Sequence, residues 1–289
     1  MAKEILYTTA VDDEGVLVHV SDAEKGITYY CPSCKVEYSL KKSGNTGKGS
    51  KRPHFSHKPN ESSSNCTAES VLHYSFKKNL IDLLNNYLQE NKELIINWNC
   101  SACSEYNKGN LLAKTTTVRE EYYLKDCQPD IALLDTDENV IAVIEIVVTH
   151  SPEEKVLEFY GDNEIILIQI NLSSDEDLKN IERKTLTPSI VDYCLSHKCS
   201  NQKRYSIHRK ILSHSDTCGR CYKPIERYTI EVNSAFGMQE TLDFTDNEIN
   251  IVKAERKNID TKTNQTTNER YPISICHYCK VMSRRNRRF

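Results

Sequence analysis

Two acidic residues in an otherwise apolar segment are the side chains of this sequence best placed to do chemistry. Asp130 precedes one short apolar run and Glu145 lies inside the next, with an Asp- and Asn-rich break between the runs at 135–139. This pattern predicts a β-hairpin. With the turn centred on the break, the two acids lie directly opposite each other, with Cβ atoms roughly 4.5–5.5 Å apart. Two carboxylates this close repel unless a cation or a proton lies between them, so the pair predicts a divalent-metal site.

An accidental pair at the edge of a sheet is the alternative interpretation. The apolar neighbours of the second acid argue against it, because a buried charge is costly without a partner. Downstream, Ser151 as N-cap, Pro152 at the first helical position and Glu154 in a capping box predict the start of a helix. The helix is expected to end near Tyr160, and a buried strand is predicted at 164–170. Strand, helix and strand imply a right-handed crossover in a partly parallel sheet.

A helix is also predicted upstream, at 69–88, where an apolar stripe repeats at helical spacing. Glu69, His73 and Lys77 occupy positions i, i+4 and i+8 along the N-terminal part of this stripe. An acid, an imidazole and an ammonium group on a core-facing side indicate a functional site. The alternative is ordinary i, i+4 pairing on a helix surface, worth about 0.2–0.5 kcal/mol per pair.

The order of these elements is helix, strands, Pro-Asp hairpin, Glu-bearing strand, helix and strand. It resembles the PD-(D/E)XK nuclease superfamily over residues 69–171. The resemblance implies a mixed-sheet nuclease core in which Asp130 and Glu145, with Glu69 from the first helix, bind Mg²⁺ or Mn²⁺. It also implies that the reaction is hydrolysis of phosphodiester bonds.

One position departs from the pattern of the superfamily. The superfamily lysine, two residues after the Glu, is Val147 here. Lys77 on the first helix is the candidate to take its place, and His73 is the candidate to hydrogen-bond a phosphate or to position Glu69. A second function therefore stays open, a nuclease-like fold that binds DNA or a protein without cleaving.

The N-terminal part of the chain carries a candidate zinc site. Cys31 and Cys34 form a CxxC pair, and His54, His57 and Cys66 follow within one short segment. A CxxC pair with a later His and Cys supplies the four ligands of a tetrahedral structural Zn²⁺. Only one of the two histidines is needed, and His57 is favoured. Unrelated thiols and surface histidines are the alternative.

The same segment carries a set of motifs that resembles a known family. The CPxC, the HFxH, the later Cys and then ExxxH with a Lys are similar to the N-terminal part of the competence protein CoiA family. With the elements downstream, the resemblance covers about the first 170 residues. It implies a zinc-stabilised module joined to a nuclease-like domain that handles DNA in uptake and recombination.

Eight further cysteines suggest more zinc. A CxxC…CxxC set predicts a four-cysteine zinc ribbon around a strand at 228–232, with a loop at 260–268; its ligands are Cys218, Cys221, Cys276 and Cys279. Four protein ligands leave no open coordination position, so this zinc is expected to be structural. A third Zn²⁺ is expected at Cys100 and Cys103, with partners from Cys194, His197 and Cys199. Cys127 is interpreted as a small buried residue.

Length and charge suggest the domain organisation. The 289 residues allow one medium domain and smaller modules. An α/β fold is predicted, with an N-terminal β-rich zinc module at 1–68, a mixed-sheet nuclease-like domain at 69–200 and a C-terminal zinc ribbon with a basic tail at 201–289. The net charge of −3 gives no global attraction to nucleic acid. Basic residues concentrate at 35–58 and 280–288, which fits phosphate contacts but equally fits a solvated loop and an unfolded tail.

Cysteine usage and hydropathy indicate the compartment. Twelve cysteines, mostly in CxxC pairs, are typical of metal ligands in a reducing environment. No apolar leader segment follows Met1, and the longest apolar run, 140–148, is too short to span a bilayer. A cytoplasmic protein with no membrane partner is therefore expected. The expected partners are nucleic acid, with DNA favoured, and a protein of a DNA-processing or defence system.

Overall fold

The computed structural model describes a mixed α/β chain in which strands predominate, which confirms the predicted class at that level. The residues described are 5–42, 52–59, 66–182, 186–201, 207–255, 259–263 and 270–282. Parts of the two predicted basic clusters lie outside them, including Lys48, Lys51, Arg284, Arg285, Arg287 and Arg288.

Five short strands form an N-terminal sheet: β1 (Thr9–Val11), β2 (Leu17–His19), β3 (Tyr29–Tyr30), β4 (Glu37–Lys41) and β5 (His54–His57). They pair antiparallel in the order β2-β1-β3-β4-β5. Their core is aromatic, and the rings of Tyr38 and Phe55 stack with centroids 5.6 Å apart. Val71 from the following helix packs into the same core and ties the sheet to the rest of the chain.

The first long helix, α1 (Ala68–Gln89), confirms the helix predicted at 69–88. Thr67 is its N-cap: the Thr67 side chain accepts a hydrogen bond from the Ser70 backbone, and the Ser70 side chain accepts one from the Thr67 backbone. Such a reciprocal cap satisfies two backbone donors at the helix start. The predicted apolar stripe packs into the main core through Leu72, Phe76, Leu80 and Leu84.

A hairpin and the central sheet follow α1. The elements are β6 (Ile95–Asn99), β7 (Tyr106–Asn110), β8 (Thr117–Glu120), β9 (Ile131–Leu134), β10 (Val140–Val147), α2 (Glu154–Asp162), β11 (Ile166–Asn171), a short α3 (Leu178–Glu182) and β12 (Ile190–Val191). The central sheet has the order β12-β11-β10-β9-β8. β10 and β11 are parallel and the other neighbours are antiparallel, which confirms the predicted partly parallel sheet.

The two faces of the central sheet bury different residues. Ile131 and Ile144 belong to the main core with α1, whereas Ala132 and Val143 belong to a smaller core with α2. This alternation follows from the two-residue period of a strand. Helices α1 and α2 therefore cover opposite faces of the sheet. Alternate residues along β9 and β10 point their side chains to one helix or the other.

The start of α2 differs from the prediction. The helix begins at Glu154, and its N-cap residue, Glu153, makes no side-chain capping bond. Ser151 and Pro152 precede the helix, so the predicted capping role of Ser151 is wrong. A residue before proline is biased towards extended backbone, and this segment carries the chain from the end of β10 to the face that α2 covers.

The C-terminal part contains β13 (His208–Thr217), β14 (Pro224–Ser234), β15 (Gly237–Thr241), α4 (Asp246–Glu255), β16 (Ile259–Thr263) and β17 (Arg270–Ser274). β13, β14 and β15 form one antiparallel sheet, and β16 and β17 form a hairpin. The strand predicted at 228–232 is confirmed within β14. The loop predicted at 260–268 is wrong for 260–263, which pair in β16, while 264–269 lie outside the described residues.

The C-terminal sheet packs directly on the middle of the chain. Phe236, at the turn between β14 and β15, is buried in the main core, with its ring 5.2 Å from that of Trp98 and 5.3 Å from that of Tyr193. Its carbonyl accepts a hydrogen bond from the Asn110 backbone at 2.9 Å. Gly109 permits this approach, because a Cβ there would lie 2.5 Å from the Cβ of Phe236.

Across the part of the chain that is described, every helix is too short or too polar to cross a membrane.

Candidate carboxylate site and metal centres

The hairpin of β9 and β10 has the register predicted from its sequence. Ile131 pairs with Ile144 and Ala132 with Val143, after a one-residue shift near the turn. One step further along this register, Asp130 lies beside Glu145. Glu145 shares the strand parity of Val143 and so faces α2, whereas Asp130 precedes β9 and its carboxylate reaches His73 on α1.

Asp130 is held from two sides at the end of β9. Its Oδ2 accepts a hydrogen bond from the Ile146 backbone at 2.9 Å and lies 3.0 Å from Nε2 of His73 on α1. The Asp130 side chain is 17% exposed and that of His73 is 31% exposed, so both border the solvent. His73 therefore connects the first helix to the carboxylate pair.

Glu145 is a partly buried acid with one oxygen held by a hydrogen bond. The hydroxyl of Tyr160, a fully buried residue of α2, donates to Oε1 of Glu145 at 2.5 Å. Burial raises the pKa of Glu145 to about 7, and the negative charge of Asp130 acts in the same direction, against the Tyr160 hydrogen bond. A carboxyl group in this position gains stability from a nearby cation, which is what a divalent-metal ligand requires.

Replacing Glu145 by glutamine tests this burial cost. Between the ordinary value of 4.5 and about 7, the folded protein keeps a proton on Glu145 that the unfolded chain releases. The free energy of unfolding of the zinc-loaded native protein, without Mg²⁺ or Mn²⁺, is therefore expected to fall by about 3 kcal/mol as the pH rises through this window. In Glu145→Gln this fall is absent. Urea denaturation at a series of pH values measures the difference, and parallel pH profiles for the two proteins would contradict the assignment.

Tyr160→Phe is expected to weaken divalent-ion binding by about tenfold, because a hydrogen bond to a charged group contributes about 1.5–3 kcal/mol. The ring stays in place, so the packing of α2 on the sheet is retained. Calorimetric titration with Mn²⁺ measures the change. Phe159→Leu, in the neighbouring and only partly buried position, is the control and should bind Mn²⁺ like the native protein. If Tyr160→Phe binds Mn²⁺ as tightly as the native protein, the Tyr160 hydroxyl does not contribute to the binding of the ion.

Lys77 lies near the carboxylate pair but is bonded to other acids. Its side chain is only 4% exposed, and its ammonium group pairs with Glu121 and, at 3.4 Å, with Glu120. Lys78 pairs with Glu120 at 2.6 Å. Burial by itself would raise the pKa of Glu120, but the hydrogen bond from Lys78 and the charge of Lys77 hold that pKa below its ordinary value.

Glu120 and Glu121 belong to the neighbourhood of the site, and the sequence reasoning missed them. The Glu121 backbone donates to the carbonyl of Asp130 at 3.0 Å, so Glu121 flanks the catalytic candidate directly. Two consecutive acids at the end of a strand that precedes the hairpin were the available signal.

Glu69 does not join the two acids of the hairpin. It lies in the first turn of α1, one turn before His73, and is partly buried. Among the described residues, the compact groups of three or more potential ligands are all rich in cysteine, and none contains Glu69, Asp130 or Glu145. Val147, at the position of the superfamily lysine, is 8% exposed and packs as an apolar residue.

The first cysteine group lies at the edge of the N-terminal sheet. Cys31, Cys34, His57 and Cys66 place one ligand atom each within 4.8 Å of the others. Sγ of Cys31 is 3.4 Å from Sγ of Cys66, and Sγ of Cys34 is 3.2 Å from Nε2 of His57. His54 instead lies 2.8 Å, through Nδ1, from the carbonyl of Arg52. The arrangement therefore uses His57.

The second group connects the β6–β7 turn to the segment after β12. Cys100, Cys103, Cys194 and Cys199 converge, with Sγ–Sγ distances of 3.6 Å between Cys100 and Cys199 and between Cys103 and Cys194. His197, which the sequence offered as an alternative ligand, is not in the group. Its Nδ1 lies 2.7 Å from Oδ2 of Asp243, so it links this segment to the C-terminal part instead.

The third group joins the β13–β14 turn to the segment after β17. Cys218, Cys221, Cys276 and Cys279 converge, with Sγ–Sγ distances of 3.6 Å between Cys218 and Cys279 and 3.5 Å between Cys221 and Cys276. Backbone N–H groups of Cys221 and Arg220 lower the pKa of Cys218 to about 6. A thiol with a lowered pKa is readily deprotonated, as a zinc ligand must be.

All four CxxC pairs share one backbone geometry. The residue after the second cysteine has a left-handed φ near +60° in each case: Lys35, Ser104, Tyr222 and Lys280. The backbone N–H of that residue donates to the carbonyl of the first cysteine at 2.8–2.9 Å. The turn directs both thiols of a pair to one point, and residue type does not indicate it because lysine, serine and tyrosine all occur at this position.

The three groups fit structural zinc. Every cysteine is a free thiol, and the Sγ–Sγ distances of 3.4–3.6 Å are far from the roughly 2.05 Å of a disulfide. Four soft or borderline donors around one point are what tetrahedral Zn²⁺ takes. Cys127 lies outside all three groups and is partly buried beside Tyr160.

Comparison of the chain with protein-family models, curated proteins and solved structures finds no match.

Proposed function

We propose that this protein is a divalent-metal-dependent nuclease that hydrolyses phosphodiester bonds of DNA. The observation that carries the proposal is that the hairpin register, continued by one residue, places Asp130, just before β9, beside Glu145, an acid inside the otherwise apolar β10. Two adjacent acids at this position destabilise the fold unless a cation lies between them. Their mutual repulsion and their burial both oppose ionisation of the two carboxyl groups. The mixed sheet flanked by α1 and α2 supports the resemblance to the PD-(D/E)XK superfamily.

Asp130 and Glu145 would hold Mg²⁺ or Mn²⁺, which are hard cations that prefer oxygen ligands. Such an ion polarises the phosphate and lowers the pKa of a bound water. Water adds to phosphorus, the bond from phosphorus to the leaving oxygen breaks, and the water proton is lost to a base while the leaving oxygen gains one. Tyr160 donates a hydrogen bond to one oxygen of Glu145, so the other oxygen would be the one to bind such an ion.

His73 and Lys77 are the two further candidates on α1. His73 lies against Asp130 and borders the solvent, so it is placed to orient this carboxylate or to contact a phosphate. Lys77 would need to exchange its pairing with Glu121 for contact with substrate. Glu69 lies one helical turn before His73. Within this proposal it would become a further oxygen ligand if its side chain moves to the metal when metal or substrate binds.

The zinc groups have a structural role in this proposal. Each supplies four protein ligands and therefore leaves no coordination position for a reacting water. The second group links the β6–β7 hairpin to the segment after β12, and the third closes the C-terminal sheet. Zinc would thus fix the modules around the carboxylate site without taking part in cleavage.

Incubation of the purified, zinc-loaded protein with labelled single-stranded DNA, duplex DNA and RNA tests the proposal. Reactions are run without added metal and with Mg²⁺ or Mn²⁺. Metal-dependent products from DNA are the expected result. DNA binding without products under every condition would instead favour a nuclease-like fold that binds without cleaving, a function that the buried Val147 and the occupied Lys77 favour.

A further inference from the structure

The tip of the third cysteine group presents two tyrosines to the solvent. Tyr222 is 80% exposed and Tyr278 is 63% exposed. Each lies on one of the two CxxC turns that the shared group brings together. Large aromatic side chains are rarely left this exposed without a partner, because burying them against one is favourable. The two rings therefore mark a contact surface.

The same tip is basic. Arg220, Lys223 and Lys280 are all exposed, and neither 218–223 nor 276–282 contains an acidic residue. Lys223 from one turn lies 5.9 Å from the ring centroid of Tyr278 on the other, so the two turns form one continuous surface.

Two acids of the adjoining strands already have partners. Asp216, at the end of β13, pairs with Arg227. Glu226 accepts a hydrogen bond from the hydroxyl of Tyr228 at 2.5 Å. Both interactions lie on the body of the C-terminal sheet. The cations of the tip therefore remain available to an anionic partner.

We propose that this tip, formed by Arg220, Tyr222, Lys223, Tyr278 and Lys280, binds single-stranded nucleic acid. Exposed aromatic rings stack on unpaired bases, and basic side chains beside them contact the phosphates that connect those bases. In a duplex the base faces are already stacked on one another, so the tyrosine rings have no free base on which to stack. The turn at Tyr222, with φ at 58° and a hydrogen bond from its backbone to the carbonyl of Cys218, fixes the backbone from which the ring projects.

Fluorescence anisotropy with a labelled single strand of about 15 nucleotides, within the range of known single-strand site sizes, tests the proposal. The full zinc-loaded chain is used without Mg²⁺ or Mn²⁺, so binding is measured whether or not the protein cleaves. Each tyrosine is expected to contribute between about fivefold and 100-fold in affinity, since stacking on one base is worth about 1–3 kcal/mol. Tyr222→Ala/Tyr278→Ala should therefore bind about 30-fold more weakly, or worse.

Three further variants make the test specific. Tyr123→Ala removes a tyrosine that is 72% exposed elsewhere on the surface, and it should bind like the native chain. Tyr222→Trp/Tyr278→Trp should keep the affinity, because stacking is retained. Arg220→Gln/Lys223→Gln/Lys280→Gln should reduce the slope of log affinity against log salt by up to about 2, because each single-strand phosphate contact contributes about 0.7.

DNA and RNA strands of the same sequence identify which nucleic acid is preferred, and tight binding of either supports the proposal. Three results would overturn it. These are native affinity in Tyr222→Ala/Tyr278→Ala with three zinc ions retained, no binding of single strands by the native chain, and equal binding of single strands and duplex.

Discussion

Asp130→Asn is expected to reduce metal-dependent DNA cleavage about 1000-fold or more. A bound divalent ion contributes several kcal/mol of transition-state stabilisation, and about 4 kcal/mol corresponds to this factor. The asparagine removes the negative charge that holds the ion, but its carbonyl oxygen can still accept the hydrogen bond from the Ile146 backbone. Folding and zinc content are therefore expected to be unchanged. Rates of product formation under saturating Mg²⁺ measure the effect.

Asp137→Asn is the matched control for this variant. Asp137 is an exposed acid at the turn of the same hairpin. Its replacement by asparagine removes the same charge at a position away from the carboxylate pair. It should cleave at the native rate. Cleavage by Asp130→Asn at the rate of the control would show that this carboxylate has no part in the reaction.

Cys194→Ser is expected to lower the zinc content from three ions per chain to two and to destabilise the protein severely. Structural zinc contributes an apparent binding free energy of about 10–16 kcal/mol in small zinc modules, and a serine hydroxyl is a poor substitute for a thiolate ligand. The loss should spread beyond the site. Cys194 follows Tyr193, whose carbonyl accepts a hydrogen bond from the indole of Trp98 at 2.8 Å in the main core.

Metal analysis by mass spectrometry and thermal denaturation measure the two effects of Cys194→Ser. Cys127→Ser is the control, because Cys127 is outside the three groups. It should keep three zinc ions and a melting temperature close to that of the native chain. Three zinc ions in Cys194→Ser, with native melting, would mean that the second group does not bind the metal.

Local sequence patterns anticipated the elements that position the candidate site. Two apolar runs around an Asp- and Asn-rich break predicted the hairpin and its register at Ile131–Ile144 and Ala132–Val143. The apolar stripe of α1 predicted that helix within one residue at each end. CxxC spacing predicted which cysteines lie together, because two ligands three residues apart already converge on one turn.

Contacts between distant segments were harder to anticipate. Glu120 and Glu121 form ion pairs with Lys77. The sequence of α1 does not indicate that β8 packs beside this helix. Asp243 holds His197 across 46 residues, which removes that histidine from the zinc ligands the sequence had offered. Tyr160 reaches Glu145 only because α2 packs on that face of the sheet. Such contacts depend on tertiary packing, so local sequence patterns do not predict them.

Calorimetric titration of the zinc-loaded protein with Mn²⁺ tests most directly whether Asp130 and Glu145 together hold a divalent cation. The native chain is expected to bind one Mn²⁺ in addition to its zinc, and Asp130→Asn and Glu145→Gln are each expected to lose this binding while their zinc content stays the same. Undiminished Mn²⁺ binding in both variants, or no binding by the native chain, would contradict the account.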